Sequence, residues 1–208
     1  MAKYSDARNV QLVIALLKKY GIRNVIASPG TTNVPFVYSV QNDSFFRVRS
    51  AFDERSAAYM ACGLAGESGE PVVLSCTGAT ASRDYMPGLT EAFYRKLPVL
   101  ALTSMHFTED IGNLSTQILD RSVIPNDIAR YHTSLEMIEN ERMAKDDELR
   151  INIALSELTR DGGGPVAVQL ITDGNYTFGT SSLPEVQKIN RFLPEGVDEW
   201  PKLSSKSK

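Results

Sequence analysis

The sequence predicts an α/β fold, a three-layer sandwich in which helices cover both faces of a mostly parallel sheet of about six strands. Three observations lead to this prediction. Short apolar runs recur along the chain, helix-like stretches separate them, and small or polar residues follow several of the runs. Strands that are apolar on both faces and alternate with helices are typical of parallel sheets.

The predicted elements alternate along the chain. An opening helix, capped by Ser5 or Asp6, buries one apolar face and ends at Gly21. Strands are expected at residues 25–28, 45–52, 72–76, 99–105 and 166–171, with a further short strand near 129–134. Helices are expected at residues 33–41, 54–68, 81–95 and 146–159. This alternation places helices on both faces of one sheet.

The composition argues against several classes of partner. The 208 residues carry a net charge of −3, with basic residues spread out, so no nucleic-acid-binding surface is indicated. No apolar run is long enough to cross a bilayer and the first residues lack a signal peptide, so a cytoplasmic location without a membrane partner is expected. Two cysteines and two histidines are too few and too separated for a metal site, and none is expected in this chain.

Three strand ends carry polar and small residues, and we expect them to border one crevice. Glu54 follows the second strand and opens a helical pattern, Pro29 and Gly30 follow the first strand, and Thr77 follows the third. In open parallel sheets, ligands bind outside the carboxyl ends of the strands. Glu54 is therefore a candidate acid–base residue. Its simpler interpretation is a first-turn acid that the helix dipole favours.

Five blocks of sequence together resemble the pyrimidine-binding (PYR) domain of thiamine diphosphate-dependent enzymes. The blocks are SPGT at 28–31, FDERSAA at 52–58, CTGATA at 76–81, LPVLALT at 97–103 and GGPVAV at 163–168. Within that family the chain is most similar to the acetolactate synthase, benzoylformate decarboxylase and SEPHCHC synthase type. The order and spacing of the blocks, more than any one of them, carry the resemblance.

The resemblance implies a defined role for Glu54. In this family a glutamate at this strand end hydrogen-bonds the N1′ nitrogen of the cofactor's aminopyrimidine and promotes its imino tautomer. That tautomer removes the proton from the thiazolium C2 carbon, which then attacks a 2-keto acid. The physical basis is acid–base catalysis by a positioned carboxyl group whose pKa is raised by burial. The cofactor supplies the difficult chemistry, and the protein sets its tautomer.

The resemblance also assigns further positions. Contacts to thiamine diphosphate are implied for Pro29, Gly30, Thr77, Ala81 and Asp84, and substrate-facing positions for Thr31 and Gln117. Thr77 stands where some decarboxylases carry a catalytic histidine, and Asp84 stands where relatives often have asparagine. Ordinary hydrogen bonding within loops is the alternative interpretation of Thr31, Thr77 and Gln117.

A complete enzyme of this family also needs a diphosphate-binding domain that holds Mg²⁺, and its Gly-Asp-Gly and Asn-Asn motifs are absent from this sequence. The sequence TDGN at 172–175 is interpreted as a turn. Residues 1–180 are predicted to form the PYR domain, and residues 181–208 a linker toward a missing central domain. The expected function is thus the N-terminal part of a homodimeric or homotetrameric enzyme that decarboxylates or ligates a 2-keto acid and is inactive without the missing domain.

Two alternatives stay open at this point. In the first, the chain is a separate PYR subunit of a two-chain keto acid decarboxylase. In the second, it is a non-catalytic nucleotide-binding or interaction module. The loop SPGTTN at 28–33 has neither the three-glycine dinucleotide fingerprint nor the lysine of a P-loop, so a phosphate site is not indicated.

Overall fold

Strands and helices alternate along the residues that the computed structural model describes, which are 2–78, 80–115, 118–120, 123–172 and 176–189. The strands are β1 (Asn24–Ala27), β2 (Arg47–Ser50), β3 (Val72–Thr77), β4 (Val99–Met105), β5 (His132–Leu135) and β6 (Val166–Ile171). The helices are α1 (Arg8–Lys19), α2 (Val34–Gln41), α3 (Glu54–Ser68), α4 (Ala81–Asp84), α5 (Met86–Tyr94) and α6 (Glu141–Glu157). Short 3₁₀ turns lie at Thr108–Asp110 and Arg160–Gly162.

All six of these strands are parallel and form one sheet in the order β2-β1-β3-β4-β6-β5. The chain moves outward from β1 to β2 and then returns across β1 to β3. This reversal leaves a crevice outside the carboxyl ends of β1 and β3, which is where open α/β sheets bind ligands. The predicted sandwich with a mostly parallel sheet of about six strands is confirmed.

Apolar side chains alternate along the strands between two cores. On one face, the side chains of Val25, Val73 and Leu100 pack with α1, α2 and α6. On the other face, the side chains of Ile26 and Leu74 pack with α3 and α5. Because successive residues of a strand point to opposite faces, burial on both sides requires nearly continuous apolar strands, as the sequence has.

The first helix ends as predicted but begins differently. Gly21 has a φ of 74° and follows the C-terminus of α1, where a left-handed conformation favours glycine. The predicted cap is wrong, since Ala7 is the N-cap residue and no side chain caps the helix. The carboxylate of Asp6 instead accepts hydrogen bonds from the backbone N–H groups of Gly179 (3.1 Å) and Thr180 (2.9 Å).

The helix predicted at 81–95 is divided into α4 and α5, which meet at Tyr85. Pro87 lies in the first turn of α5 and has no N–H group to continue the hydrogen-bond ladder of α4. Gly88 allows α5 to approach α3 closely, because a Cβ atom there would lie 2.5 Å from the Cβ atom of Ala58. The division directs Tyr85 into the core, where it is 1% exposed.

Other boundaries also differ from the prediction. The helix α6 begins at Glu141 and not at 146, because the Asn140 side chain caps it by accepting a hydrogen bond from the Met143 N–H (3.1 Å). The strand β2 covers only the centre of the run at 45–52, and β5 extends past the predicted 129–134 to Leu135.

Residues 176–189 run back along α1 and α6. Thr180 accepts a hydrogen bond from the Tyr4 N–H (2.8 Å), and the Gln187 N–H donates to the carboxylate of Glu148 (2.7 Å). Asn152 accepts from the Ile189 N–H (2.8 Å). The domain boundary at residue 180 stays a prediction, and the predicted linker beyond Ile189, like most of the predicted turn at 172–175, lies outside the described residues.

In the part of the chain that the structure describes, no helix combines the length and apolar character that a bilayer span requires.

Candidate functional site

The loops after β1 and β3 are in direct contact at the carboxyl edge of the sheet. A Cβ atom on Gly30 would lie 1.9 Å from Cγ2 of Thr77, so this contact requires glycine at position 30. Thr77 is the last residue of β3, and Gly30 is three residues beyond β1. Of the three strand ends predicted to border one crevice, these two are therefore in direct contact, whereas Glu54 does not line either of the two cavities described below.

Buried polar side chains fix the loop after β1. The Ser28 N–H donates to the carbonyl oxygen of Ser75 (2.9 Å), which continues the pairing of β1 with β3. The Asn33 side-chain amide donates to the carbonyl oxygen of Ser28 (3.0 Å) and to Oγ of Ser75 (3.3 Å). Asn33 is 1% exposed. Its buried side-chain hydrogen bonds therefore hold the loop between Ser28 and Asn33 in one conformation.

A second set of hydrogen bonds joins three loops. The Thr32 hydroxyl donates to the carbonyl oxygen of Ser104 (2.8 Å), at the end of β4. The Thr172 hydroxyl, just after β6, donates to the carbonyl oxygen of Thr32 (3.1 Å), and the Thr172 N–H donates to that of Met105 (2.8 Å). Sequence reasoning missed Asn33, Thr32 and Thr172. Polar residues that directly follow apolar strands were the available signal.

A small cavity of about 50 Å³ lies between these loops. Its lining includes Thr31, Thr77 and His106, all three from strand ends or the loops that follow them. Gly78 closes one side, because a Cβ atom there would lie 2.5 Å from the side chain of Met105. Thr31 and Thr77 therefore face one space, and His106, although exposed, borders it as well.

A larger cleft of about 330 Å³ adjoins the same loop on the side of α2. Pro29 and Gly30 line it together with apolar side chains of α2, including Val34 and Val37, and with Ser50 at the end of β2. The backbone at Pro29 and Gly30 is thus accessible in an apolar setting, which suits the approach of a flat ring.

Glu54 is the first residue of α3 and is half-buried. Asp53 is the N-cap residue, and its carboxylate accepts hydrogen bonds from the N–H (2.8 Å) and hydroxyl (2.7 Å) of Ser56. These hydrogen bonds hold the pKa of Asp53 below its ordinary value. The Glu54 carboxylate has no hydrogen-bond or ion-pair partner among the described residues and does not cap α3, but it lies in the first turn of α3, as the helix-dipole interpretation also requires.

The remaining predicted residues lie nearby or outside the described part of the chain. Ala81 begins α4 and is half-buried, and Asp84 ends that helix with an exposed side chain. Gln117 lies outside the described residues. In the described part of the chain, no cluster of three or more metal-ligating side chains was found.

Comparison with known sequences gives a match to the family described as "Thiamine pyrophosphate enzyme, N-terminal TPP binding domain" over residues 8–124. A 2-succinyl-5-enolpyruvyl-6-hydroxy-3-cyclohexene-1-carboxylate synthase (SEPHCHC synthase) of Phocaeicola vulgatus is 32% identical over 190 residues, which are 91% of this chain and 34% of the relative. The synthase of the same name from Halorubrum lacusprofundi is 34% identical over 151 residues, which are 72% of this chain and 24% of the relative. The chain thus spans about a third or less of these relatives.

Comparison with solved structures supports the same fold. The crystal structure of benzoylformate decarboxylase from Polynucleobacter necessarius superimposes with a TM-score of 0.68 at 19% sequence identity, over 88% of this chain and 32% of that chain. Since the family match covers more than half of the chain, and the matched segment contains the loops after β1, β2 and β3, the chain belongs to the family of N-terminal TPP-binding domains of thiamine pyrophosphate enzymes.

Proposed function

We propose that this chain is the pyrimidine-binding part of a thiamine diphosphate-dependent enzyme that acts on a 2-keto acid, with Glu54 as its acid–base residue. One observation carries the proposal. Glu54 stands at the carboxyl end of β2, and Asp53 supplies the cap of α3, so the Glu54 carboxylate keeps its hydrogen-bonding capacity for a ligand. Family membership favours this cofactor over the nucleotide alternative.

The residues present fit an aminopyrimidine ring. Gly30 lacks a side chain where the loops after β1 and β3 touch, and Pro29 leaves backbone accessible beside an apolar cleft. Glu54 would accept or donate one proton at a ring nitrogen, and Thr77 with Ala81 and Asp84 would border the ring from the side of β3. When bound, thiamine diphosphate would supply the carbon nucleophile, while these residues hold its ring and control its protonation.

The reaction we favour is carboligation rather than simple decarboxylation. Thr77 and not histidine ends β3, so a side-chain proton donor for decarboxylation is lacking at that position. The two sequence relatives described above are synthases, whereas the decarboxylase shares the fold at only 19% identity. Thr31 and Gln117 would face the substrate, and Thr31 already lines the small cavity.

The complete enzyme would need more chain than is present here. The diphosphate and its Mg²⁺ would be held by a separate domain, in the same longer chain or in a partner subunit, and that domain would close the crevice over the cofactor. We propose a cytoplasmic homodimer or homotetramer, in which paired subunits complete each site.

Substitution of Glu54 tests the proposal. In the complete enzyme that contains this chain, Glu54→Gln should lower thiamine diphosphate-dependent turnover at least a hundredfold, because an amide cannot exchange the proton. Glu67→Gln is the matched control, since it makes the same chemical change at an exposed position of the same helix. Turnover within threefold of the unaltered enzyme in the Glu54→Gln variant would refute the assignment.

A further inference from the structure

Three buried hydroxyl groups have no hydrogen-bond partner among the described residues, and two of the three lie close to each other. These two are Oγ of Ser28 and the phenol oxygen of Tyr85, and both residues are 1% exposed. A buried polar group that lacks a partner is costly, and folded proteins rarely retain one without a reason. Two such groups, close to each other and to the end of β1, call for a physical explanation.

The two hydroxyls belong to one polar cluster on the α3–α5 face of the sheet. Ser28 follows Ile26 by two residues, so its side chain points to the same core as those of Ile26 and Cys76. Tyr85, at the junction of α4 and α5, is inserted into that core. The Cys76 thiol and the Ser28 hydroxyl are the polar neighbours of the phenol and shift its pKa through side-chain interactions, although neither forms a hydrogen bond of ordinary geometry with it.

Packing between α3 and α5 holds Tyr85 at the level of Glu54. Gly88 of α5 contacts Ala58 of α3, and the Cys62 thiol donates a hydrogen bond to the carbonyl oxygen of Gly88 (3.1 Å). Tyr85 lies about one turn before Gly88, and Glu54 lies about one turn before Ala58. The two helices therefore begin side by side, with Tyr85 and Glu54 at a similar height and near enough for the charge of Glu54 to act on the phenol.

The electrostatics of the cluster agree with this placement. Burial raises the pKa of Tyr85 well above its ordinary value, and the neighbouring Cys76 and the negative charge of Glu54 raise it further. The phenol is thus a hydrogen-bond donor at any working pH. On its own element, Arg83 and Asp84 are exposed, so the groups that face the phenol are Cys76 from β3, Ser28 from the end of β1 and Glu54 from α3.

We propose that Tyr85 is a positioning residue for Glu54, and that its hydroxyl donates a hydrogen bond to the Glu54 carboxylate once a bound ring has displaced water from the crevice. The Ser28 hydroxyl donates to the phenol oxygen and completes a chain from Ser28 through Tyr85 to Glu54. Such a chain orients one carboxylate oxygen toward the phenol and leaves the other to face the ring. This inference rests on the function proposed above, because the hydrogen-bond chain orients Glu54 for proton exchange.

The test uses Tyr85→Phe in the complete enzyme, since this change removes the hydroxyl and keeps the ring. We expect kcat/KM to fall about tenfold, which corresponds to one hydrogen bond to a charged group. The acid limb of the pH profile of kcat/KM should move to higher pH by about one pH unit, because a lost donor raises the pKa of a carboxyl group. The Tm of the cofactor-free enzyme should stay the same or rise, because an unpaired hydroxyl has been removed.

Two further variants sharpen the test. Ser28→Ala should change kcat/KM and the acid limb in the same direction as Tyr85→Phe but by less, because it removes only the far end of the chain. Tyr94→Phe is the matched control, since Tyr94 lies on α5 with a 72% exposed side chain, and it should change neither quantity.

The outcomes distinguish a failure of the role proposed for Tyr85 from a failure of the role proposed for Glu54. An unmoved acid limb, or a fall in Tm that parallels the fall in activity, would overturn the positioning role and would leave the function of Glu54 intact if Glu54→Gln is inactive. Unimpaired turnover of Glu54→Gln would overturn both proposals together. In the Glu54→Gln background, the additional Tyr85→Phe change should have no further effect on residual turnover, and an additive loss would also contradict the inference.

Discussion

Two buried tyrosines, Tyr4 and Tyr85, lie in the two cores on opposite faces of the sheet and are hydrogen-bonded very differently. The Tyr4 hydroxyl donates to the carboxylate of Asp43 (2.7 Å), which also forms an ion pair with Lys18. The Tyr85 hydroxyl forms no hydrogen bond of ordinary geometry with a described residue, although Ser28 and Cys76 lie nearby. The hydrogen bonds of the Tyr4 cluster are all made within the protein. The Tyr85 hydroxyl, in contrast, can still donate a hydrogen bond. This difference separates a group that stabilises the fold from one that is available to a ligand-binding residue.

The largest expected effect on stability is at Asp43. Asp43→Ala leaves Tyr4, Lys18 and the Phe45 N–H without their acceptor, and should lower the free energy of unfolding by about 2–3 kcal/mol. The lower end of that range allows for solvent screening of the ion pair with Lys18, whose side chain is 33% exposed. Urea unfolding of the chain measures this change in free energy, and Asp146→Ala, at an exposed position, is the control. A loss below about 0.5 kcal/mol would show that the cluster contributes little.

The next effect depends on pH and has opposite signs at two carboxyl groups. Burial raises the pKa of Asp147 from 3.8 to about 6, whereas hydrogen bonds from Lys18, Phe45 and Tyr4 hold that of Asp43 below its ordinary value despite burial. The contribution of Asp147 to stability is therefore complete below pH 3.8 and is lost as the pH rises through about 6. The contribution of Asp43 is present above its ordinary pKa and is lost as the pH falls through its lowered pKa.

Asp147→Asn should therefore stabilise the chain by about 1–2 kcal/mol at pH 8 and leave it unchanged near pH 3.5, because the charged form is no longer buried. Its Oδ2 atom has no partner among the described residues. Thermal unfolding at the two pH values measures this. An equal gain at both pH values would mean that charge is not the cause.

The smallest effect compares the two tyrosines directly. Tyr4→Phe should cost about 1 kcal/mol, the usual value of one hydrogen bond, while Tyr85→Phe should cost nothing in the cofactor-free protein. The two variants make the same chemical change, so their difference in unfolding free energy isolates the hydrogen bond. Equal losses of unfolding free energy would show that the Tyr85 hydroxyl has a hydrogen-bond partner in the cofactor-free protein.

Much of the fold could be predicted because the signals are local. Apolar runs and glycine-bearing strand ends identify a parallel sheet, and the strand ends at Gly30 and Thr77 do meet. The end of α1 at Gly21 is also a local signal, and it was predicted correctly. The start of α6 was missed although Asn140 is a good cap, because its apolar periodicity becomes clear only later in the helix.

The missed parts of the site depend on contacts between distant residues. Thr172 reaches the loop at Thr32 across 140 positions of the sequence, and no local pattern predicts that pair. Tyr85 follows a stretch that looks like one continuous helix, and only the break before Pro87 directs it inward. The roles of Glu54, Asp84 and the other cofactor and substrate positions stay predictions that rest on family resemblance.

The returning segment at 176–189 has a mechanical consequence. It is attached to α1 through Asp6 and to α6 through Asn152, both on the face of the sheet opposite α3 and α5. A pull applied beyond Ile189 would first act on these attachments and only afterwards on β6. We therefore expect tension transmitted along the chain beyond Ile189 to reach these attachments before it reaches the strand ends that form the crevice.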